Sequence, residues 1–236
     1  MIEILSMSGG KDSVAMWLYA RRLGLRPVVV YCDTGWEAPE HYQYLDYLED
    51  RIGPFVRLSG PRTMAELIQH KGTFPSRVRR FCTEELKLKP MARYIRRFGE
   101  YVVWTGERHA ESRRRAGLPT SEFSRLYNCQ IYRPILTWSV DDVWSELDAS
   151  SIEPHPLYGH GCTRVGCWPC INATKAELRL VAQLSPNRVD EIRVLEQNIG
   201  QTMFCQDRRT EKRRTGCGPS VVPISIDQKI AWAMGK

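Results

Sequence analysis

The chain has 236 residues, 42% of them hydrophobic, enough for a full core and most simply one α/β domain with an extension. Its net charge of +7 favours an anionic ligand or partner, and no apolar run approaches membrane-spanning length. With no secretory pattern ahead of the first strand, a soluble cytoplasmic protein is expected, whose eight cysteines are metal ligands or catalytic thiols rather than disulfides.

Ile2 to Met7 reads as a strand, and Ser8-Gly9-Gly10-Lys11-Asp12-Ser13 as a loop opening a helix that runs to about Leu23. Pro27 to Cys32 is a β-branched run of the kind buried in parallel sheets, with Asp33-Thr34-Gly35 as its exit loop. A helix over 39 to 51, a strand from Phe55 to Leu58 and a helix from Thr63 to His70 follow. A basic helix is predicted from Leu86 to Phe98, with Met91, Ile95 and Phe98 toward the core, then a strand from Tyr101 to Thr105. This rhythm predicts an α/β fold with a doubly wound parallel sheet over residues 1–150. After the segment Tyr132 to Leu136, a helix from Ser139 to Leu147 has Ser139 as its N-cap. Residues 151–236 form a cysteine-rich loop, a helical stretch from Lys175 to about Asn198 and a basic tail, expected to pack on the same domain.

Ligands of doubly wound sheets bind beyond the strand C-termini. Three predicted loops lie there: Ser8 to Ser13, Asp33 to Gly35, and Gly106 to Arg108. In the first, unpaired amides at the positive end of a helix face the ligand, Gly9 and Gly10 allow close approach, and Lys11 adds a full charge. The glycine-to-lysine spacing is too short for the mononucleotide loop GxxxxGK[ST]. The string resembles instead the pyrophosphate loop SGGxDS of enzymes that split ATP between its α and β phosphates.

Cys162, Cys167 and Cys170 are spaced C-x4-C-x2-C, three thiols within nine residues, and Cys82 is the candidate fourth ligand. Spacing alone leaves an iron–sulfur cluster and zinc even. His155 and His160 flank this loop and read as hydrogen-bonding loop residues, while Cys32, Cys129 and Cys205 read as packing residues. From Arg77 to Arg115 there are twelve Arg or Lys against five Asp or Glu, a basic stretch that, with Arg208 to Arg214, would suit a nucleic-acid backbone.

Together with the loops, Pro39-Glu40, Glu107 with Glu111-Ser112, Arg133-Pro134-Ile135 with Trp138, Asp142-Val143-Trp144, Pro156-Leu157-Tyr158 and Arg164 to Cys170 resemble the phosphoadenosine phosphosulfate (PAPS) reductase family. The resemblance implies a nucleotide α-hydrolase-like fold, an adenine nucleotide (ATP, PAPS or adenosine phosphosulfate, APS) on Ser8 to Ser13, Asp33, Thr34, Gly35, Gly106 and Arg108, and sulfur chemistry. From the APS reductase branch it implies Cys82, Cys167 and Cys170 as ligands of a 4Fe-4S cluster. Phe81 stands where a paired cysteine would be, so Cys162 must substitute or three residues hold the cluster. Family reductases usually lack the loop lysine and attack sulfur with a C-terminal cysteine; here Lys11 is kept, and Cys217 retains only the Cys-Gly of that motif. The intact loop favours ATP, as in members that transfer sulfur to DNA or tRNA, with Lys11, Asp12 and Mg²⁺ supporting pyrophosphate departure and Cys217 or the cluster delivering sulfur. The alternatives are a sulfonucleotide reductase, and a nucleic-acid-binding module with a structural metal. Expected partners are DNA or tRNA, a sulfur-donor protein or thioredoxin, and a second copy of the chain in a homo-oligomer.

Overall fold

The computed structural model describes residues 1–206 and 222–235. Its main sheet is built from β1 (Ile2–Met7), β2 (Val28–Asp33), β3 (Val56–Ser59), β4 (Tyr101–Trp104), β5 (Ser121–Ser124) and β6 (Cys129–Tyr132), in the order β3-β2-β1-β4-β6-β5. All pairings are parallel except β5 with β6. The central strands read as continuous apolar runs because both faces are covered: Leu5 and Met7 pack with α1 (Lys11–Arg22) and α2 (Pro39–Ile52), and Ile4 packs on the other side. Chain order runs outward from β1 to β3 and then returns to β4 on the opposite side of β1. That reversal makes the β1/β4 crevice the switch point where an open α/β sheet binds ligands.

The other helices are α3 (Met64–Lys71), α4 (Phe81–Thr83), α5 (Lys89–Ile95), α6 (Val140–Asp148), α7 (Pro156–Gly159), α8 (Lys175–Leu184), α9 (Pro186–Ile199) and α10 (Ile226–Met234). A π-helical turn, Glu84–Leu88, joins α4 to α5, so the predicted basic helix begins earlier than Leu86 and carries a bulge at its middle. Ser139 caps α6 in a capping box with Asp142. The stretch predicted as one helix from Lys175 to Asn198 is two, because Pro186 supplies no N–H to continue α8 and starts α9 instead. The strands β7 (Phe204–Gln206) and β8 (Val222–Ile224) form a separate antiparallel pair.

A second core joins the C-terminal part to the sheet domain. Leu178, Val181, Ile192, Leu195 and Ile226 pack with Trp36, Leu67, Ile68 and Phe81. Among the described residues no helix is long and apolar enough to cross a membrane.

Candidate functional site

The loop after β1 is held open by its own side chains. Ser13 Oγ accepts from Ser8 N at 3.2 Å and donates to Gly10 O at 2.8 Å, and Ser13 N also donates to Gly10 O at 3.0 Å, which fixes the turn at the start of α1. Gly9 has φ of +69°, and a methyl group there would meet the His41 ring at 2.7 Å. Gly106, just past β4, is glycine for a steric reason: a Cβ would lie 3.1 Å from Asp12 O and 3.3 Å from Ser13 N. The absence of that one methyl group lets the N-terminus of α1 sit directly over the end of β4.

Asp12 ties the site together. Its Oδ2 accepts from Lys11 Nζ at 2.8 Å and its Oδ1 from Arg108 Nε at 2.5 Å. Lys11 and Arg108 are 7% and 5% exposed, so two cations are buried at the glycine loop with one carboxylate between them. Arg108 also reaches Trp138 O, and its backbone N–H donates to Glu111. Glu107 instead turns to Arg133, which is buried and also holds Glu122, so this residue braces the loop from behind. Of the arginines at 113 to 115, Arg115 pairs with Glu107 and Glu111, Arg114 reaches Glu107 at 4.0 Å while largely exposed, and Arg113 is exposed. Tyr158 Oη accepts the Lys11 N–H at 3.0 Å, on an amide that an anion oxygen would otherwise take.

The exit loop of β2 stands next to this one. Asp33 Oδ1 accepts from Gly35 N and Tyr42 Oη. Thr34 Oγ1 and Trp36 N donate to the buried carboxylate of Glu37. The same loop is sewn to the cysteine segment: Trp168 N donates to Trp36 O at 2.8 Å, Trp36 Nε1 donates to Pro169 O at 3.0 Å, and Glu37 forms a bridge with Cys167. Arg188 stacks over Trp36, 4.4 Å from the ring centre.

Behind that seam Cys82, Cys167 and Cys170 line one small, partly open pocket walled by Trp36, Met64, Ile68, Phe74 and Met203. The predicted triple of Cys82, Cys167 and Cys170 is therefore brought together. Cys162 is not on this pocket. The turn at Gly161, with Cys162 N donating to Leu157 O, directs it away from the pocket, where burial first and the charge of Glu177 second push its thiol up to about 11. Phe81 is buried in the neighbouring core and leaves no position for a paired cysteine. Cys205 is exposed on β7 rather than packed, and Cys217 and the basic tail of 208 to 214 lie outside the described residues.

Burial pushes the Cys167 thiol up to about 11 and raises Cys82, so both are thiols until a metal or a cation favours the thiolate. The available cation is Lys87, from the π-helical turn. Its ammonium is held above its usual range first by Cys167, with burial opposing and Glu37, Cys32 and Cys82 adding. Sequence reasoning counted Lys87 only as one cation in a basic run and did not single out Glu37. Cys82, Cys167 and Cys170 share one apolar pocket near Lys87, and thiolates are the ligands that both a polynuclear cluster and a structural zinc take. Among the described residues no three His, Cys, Asp or Glu side chains are already gathered to hold a metal ion.

The sheet order and the glycine loop at its switch point define a PP-loop, nucleotide α-hydrolase-like fold. Over residues 3–173 the sequence matches the phosphoadenosine phosphosulfate reductase domain, and the chain belongs to that family. It is 32% identical over 275 aligned positions to an uncharacterized 37.8 kDa protein in the gpa 5′ region of Escherichia phage 186, covering 90% of this chain and 82% of that protein. An adenosine 5′-phosphosulfate reductase of Neisseria meningitidis serogroup A is 31% identical over 61% of each chain, so the match spans less than two thirds of that enzyme. Among solved structures, the phosphate complex of PAPS reductase from Candida auris superposes with a TM-score of 0.56 at 16% identity, covering 71% of this chain and 82% of that one. The FMN adenylyltransferase of Candida glabrata, solved with FAD and inorganic pyrophosphate, gives 0.51 at 16% identity, over 70% and 53%. At these identities the likeness establishes the shared fold.

Proposed function

We propose that the chain is an adenylating enzyme of sulfur transfer that binds ATP in the loop of Ser8 to Ser13 and holds an iron–sulfur cluster on Cys82, Cys167 and Cys170. The observation that carries this reading is Lys11: a buried cation on an intact phosphate loop, oriented by Asp12 and set against Arg108. A substrate that is already a sulfonucleotide has no pyrophosphate to lose, whereas ATP cleaved between its α and β phosphates releases pyrophosphate, a multiply charged anion for which Lys11, Arg108 and the loop amides are suited. Asp33 and Gly35, on the exit loop of the neighbouring strand, would take the nucleoside end, with Thr34 buried behind them on Glu37. Both Asp12 oxygens are engaged by cations, so its role is positioning, and Mg²⁺ would arrive on the nucleotide's phosphates. The cluster, when bound, would supply electrons or sulfide next to the nucleotide, while Lys87 would stabilise the thiolate character of Cys167 and exclude protonation there. The acceptor would be DNA or tRNA approaching over Arg77, Arg79 and Arg80, all exposed just ahead of Cys82.

The second reading, a sulfonucleotide reductase, is favoured by the names of the Neisseria relatives. Anaerobic assays on one preparation separate the two: pyrophosphate from ATP with Mg²⁺ and a nucleic-acid acceptor, and sulfite from APS or PAPS with a thiol reductant. Adenylation predicts pyrophosphate that disappears in Lys11→Ala. Sulfite release indifferent to Lys11, with no pyrophosphate, would establish the reductase instead.

A further inference from the structure

Beneath the phosphate loop lies a pair of buried histidines, His41 in the first turn of α2 and His155 just ahead of α7. Their rings stack with centroids 5.2 Å apart, and His41 Nδ1 lies 3.2 Å from His155 Nε2. Burial lowers His41 to about 3, with His155 and Lys87 adding, and lowers His155 to about 4, so each is a neutral ring with a single N–H at physiological pH.

The hydrogen bonds then assign both tautomers. Leu157 N donates to His155 Nδ1 at 3.1 Å, so the His155 proton is on Nε2. That N–H donates to His41 Nδ1, which leaves the His41 proton on its own Nε2. Here the chain of donors stops. His41 is 1% exposed, and its Nε2 has no partner among the described residues. The ring lies against the phosphate loop, with Cε1 at 2.7 Å and Nε2 at 3.4 Å from the position a Gly9 methyl would take. A buried donor without an acceptor costs about 1–3 kcal/mol, so a structure that fixes its tautomer through two residues calls for an acceptor that arrives with a ligand. An anion in the loop supplies one. Because the ring is uncharged, it adds a directional donor without adding a third cation to Lys11 and Arg108.

We propose that His41 is a positioning residue for the anion bound in the phosphate loop, donating from Nε2 in a tautomer that His155 enforces. This inference rests on the phosphate-loop reading above.

The test uses the full chain labelled with ¹⁵N-histidine and titrated with inorganic pyrophosphate, together with calorimetry on wild type, His41→Gln and His41→Phe. Before ligand, both His41 and His155 should carry their proton on Nε2. On addition of pyrophosphate the His41 Nε2–H signal should move downfield, and His41→Phe should weaken binding by about tenfold or more while His41→Gln, which keeps an N–H at similar reach, stays within about threefold. If wild type binds pyrophosphate with the His41 signal unmoved, His41 is a core residue and the inference falls while the loop reading stands. If folded wild type binds no pyrophosphate, the loop reading and the inference fall together. The spectrum of wild type decides the matter even if His41→Phe does not fold.

Discussion

Replacing Gly106 by alanine would drive a methyl group into backbone: Asp12 O at 3.1 Å, the Asp12 carbonyl carbon at 3.2 Å and Ser13 N at 3.3 Å. None of these atoms is the free end of a side chain, and Asp12 is anchored on both sides by Lys11 and Arg108, so the start of α1 must lift by a few tenths of an ångström. Overpacking of this kind costs about 1–3 kcal/mol. For a chain of this size that corresponds to a fall in Tm of about 2–12 °C. The displaced atoms belong to the loop itself, so ATP affinity should fall as well, and by more than stability alone explains. Thermal unfolding and calorimetric ATP titration read both quantities. Gly99→Ala, where an added methyl meets nothing within 4 Å, is the matched control. A Gly106→Ala protein indistinguishable from that control in Tm and ATP affinity would refute the placement of α1 over β4.

Further outcomes follow from the same geometry. Lys11→Ala should weaken ATP binding by about 10- to 150-fold, the worth of one charge-assisted hydrogen bond, with little effect on Tm. Alanine at Cys82, Cys167 or Cys170 should abolish or sharply reduce iron content in anaerobically purified protein, whereas Cys162→Ala should keep it; equal loss in all four would return Cys162 to the ligand set. Acid should destabilise the fold through His41 and His155. Their folded values lie below the ordinary 6.5, so the unfolded chain takes up more protons, and stability is complete above pH 6.5 and declines toward about 4 and then about 3. Groups facing the pair are Tyr31, Tyr42, Tyr44, Tyr158 and Lys87, and none of them titrates in that window. The drop of His155 from 6.5 to about 4 alone is worth roughly 3 kcal/mol, measurable as urea unfolding at pH 7 and pH 4. His155→Gln should flatten that profile.

The strands that carry the loops were legible because β1, β2 and β4 are buried on both faces and so read as unbroken apolar runs. The hairpin of β5 and β6 was not: Ser121-Glu122-Phe123-Ser124 is polar, sits at the sheet edge and leaves Phe123 exposed, so it has no apolar face to betray it. The last helix, α10, is short and buries only Ile226 and Ala233, too sparse a pattern to read as a period. In the site, residues contiguous with a motif were readable, since the loop after β1 is local in sequence. Glu37, Lys87, His41 and His155 reach it from separate elements, and only their partners show what they do. Cys162 is the converse case. Its spacing suggested a ligand, but the turn at Gly161 sends it away from the pocket, a geometry that no spacing encodes.

The central claim is that the loop of Ser8 to Ser13 is built for a nucleotide that still carries its pyrophosphate. The most direct measurement is equilibrium titration of wild type and Lys11→Ala with ATP, APS and PAPS under anaerobic conditions. The account predicts ATP binding that depends on Lys11 and exceeds that of either sulfonucleotide. Tight binding of APS or PAPS that is unaffected by Lys11→Ala, with no binding of ATP, would contradict it.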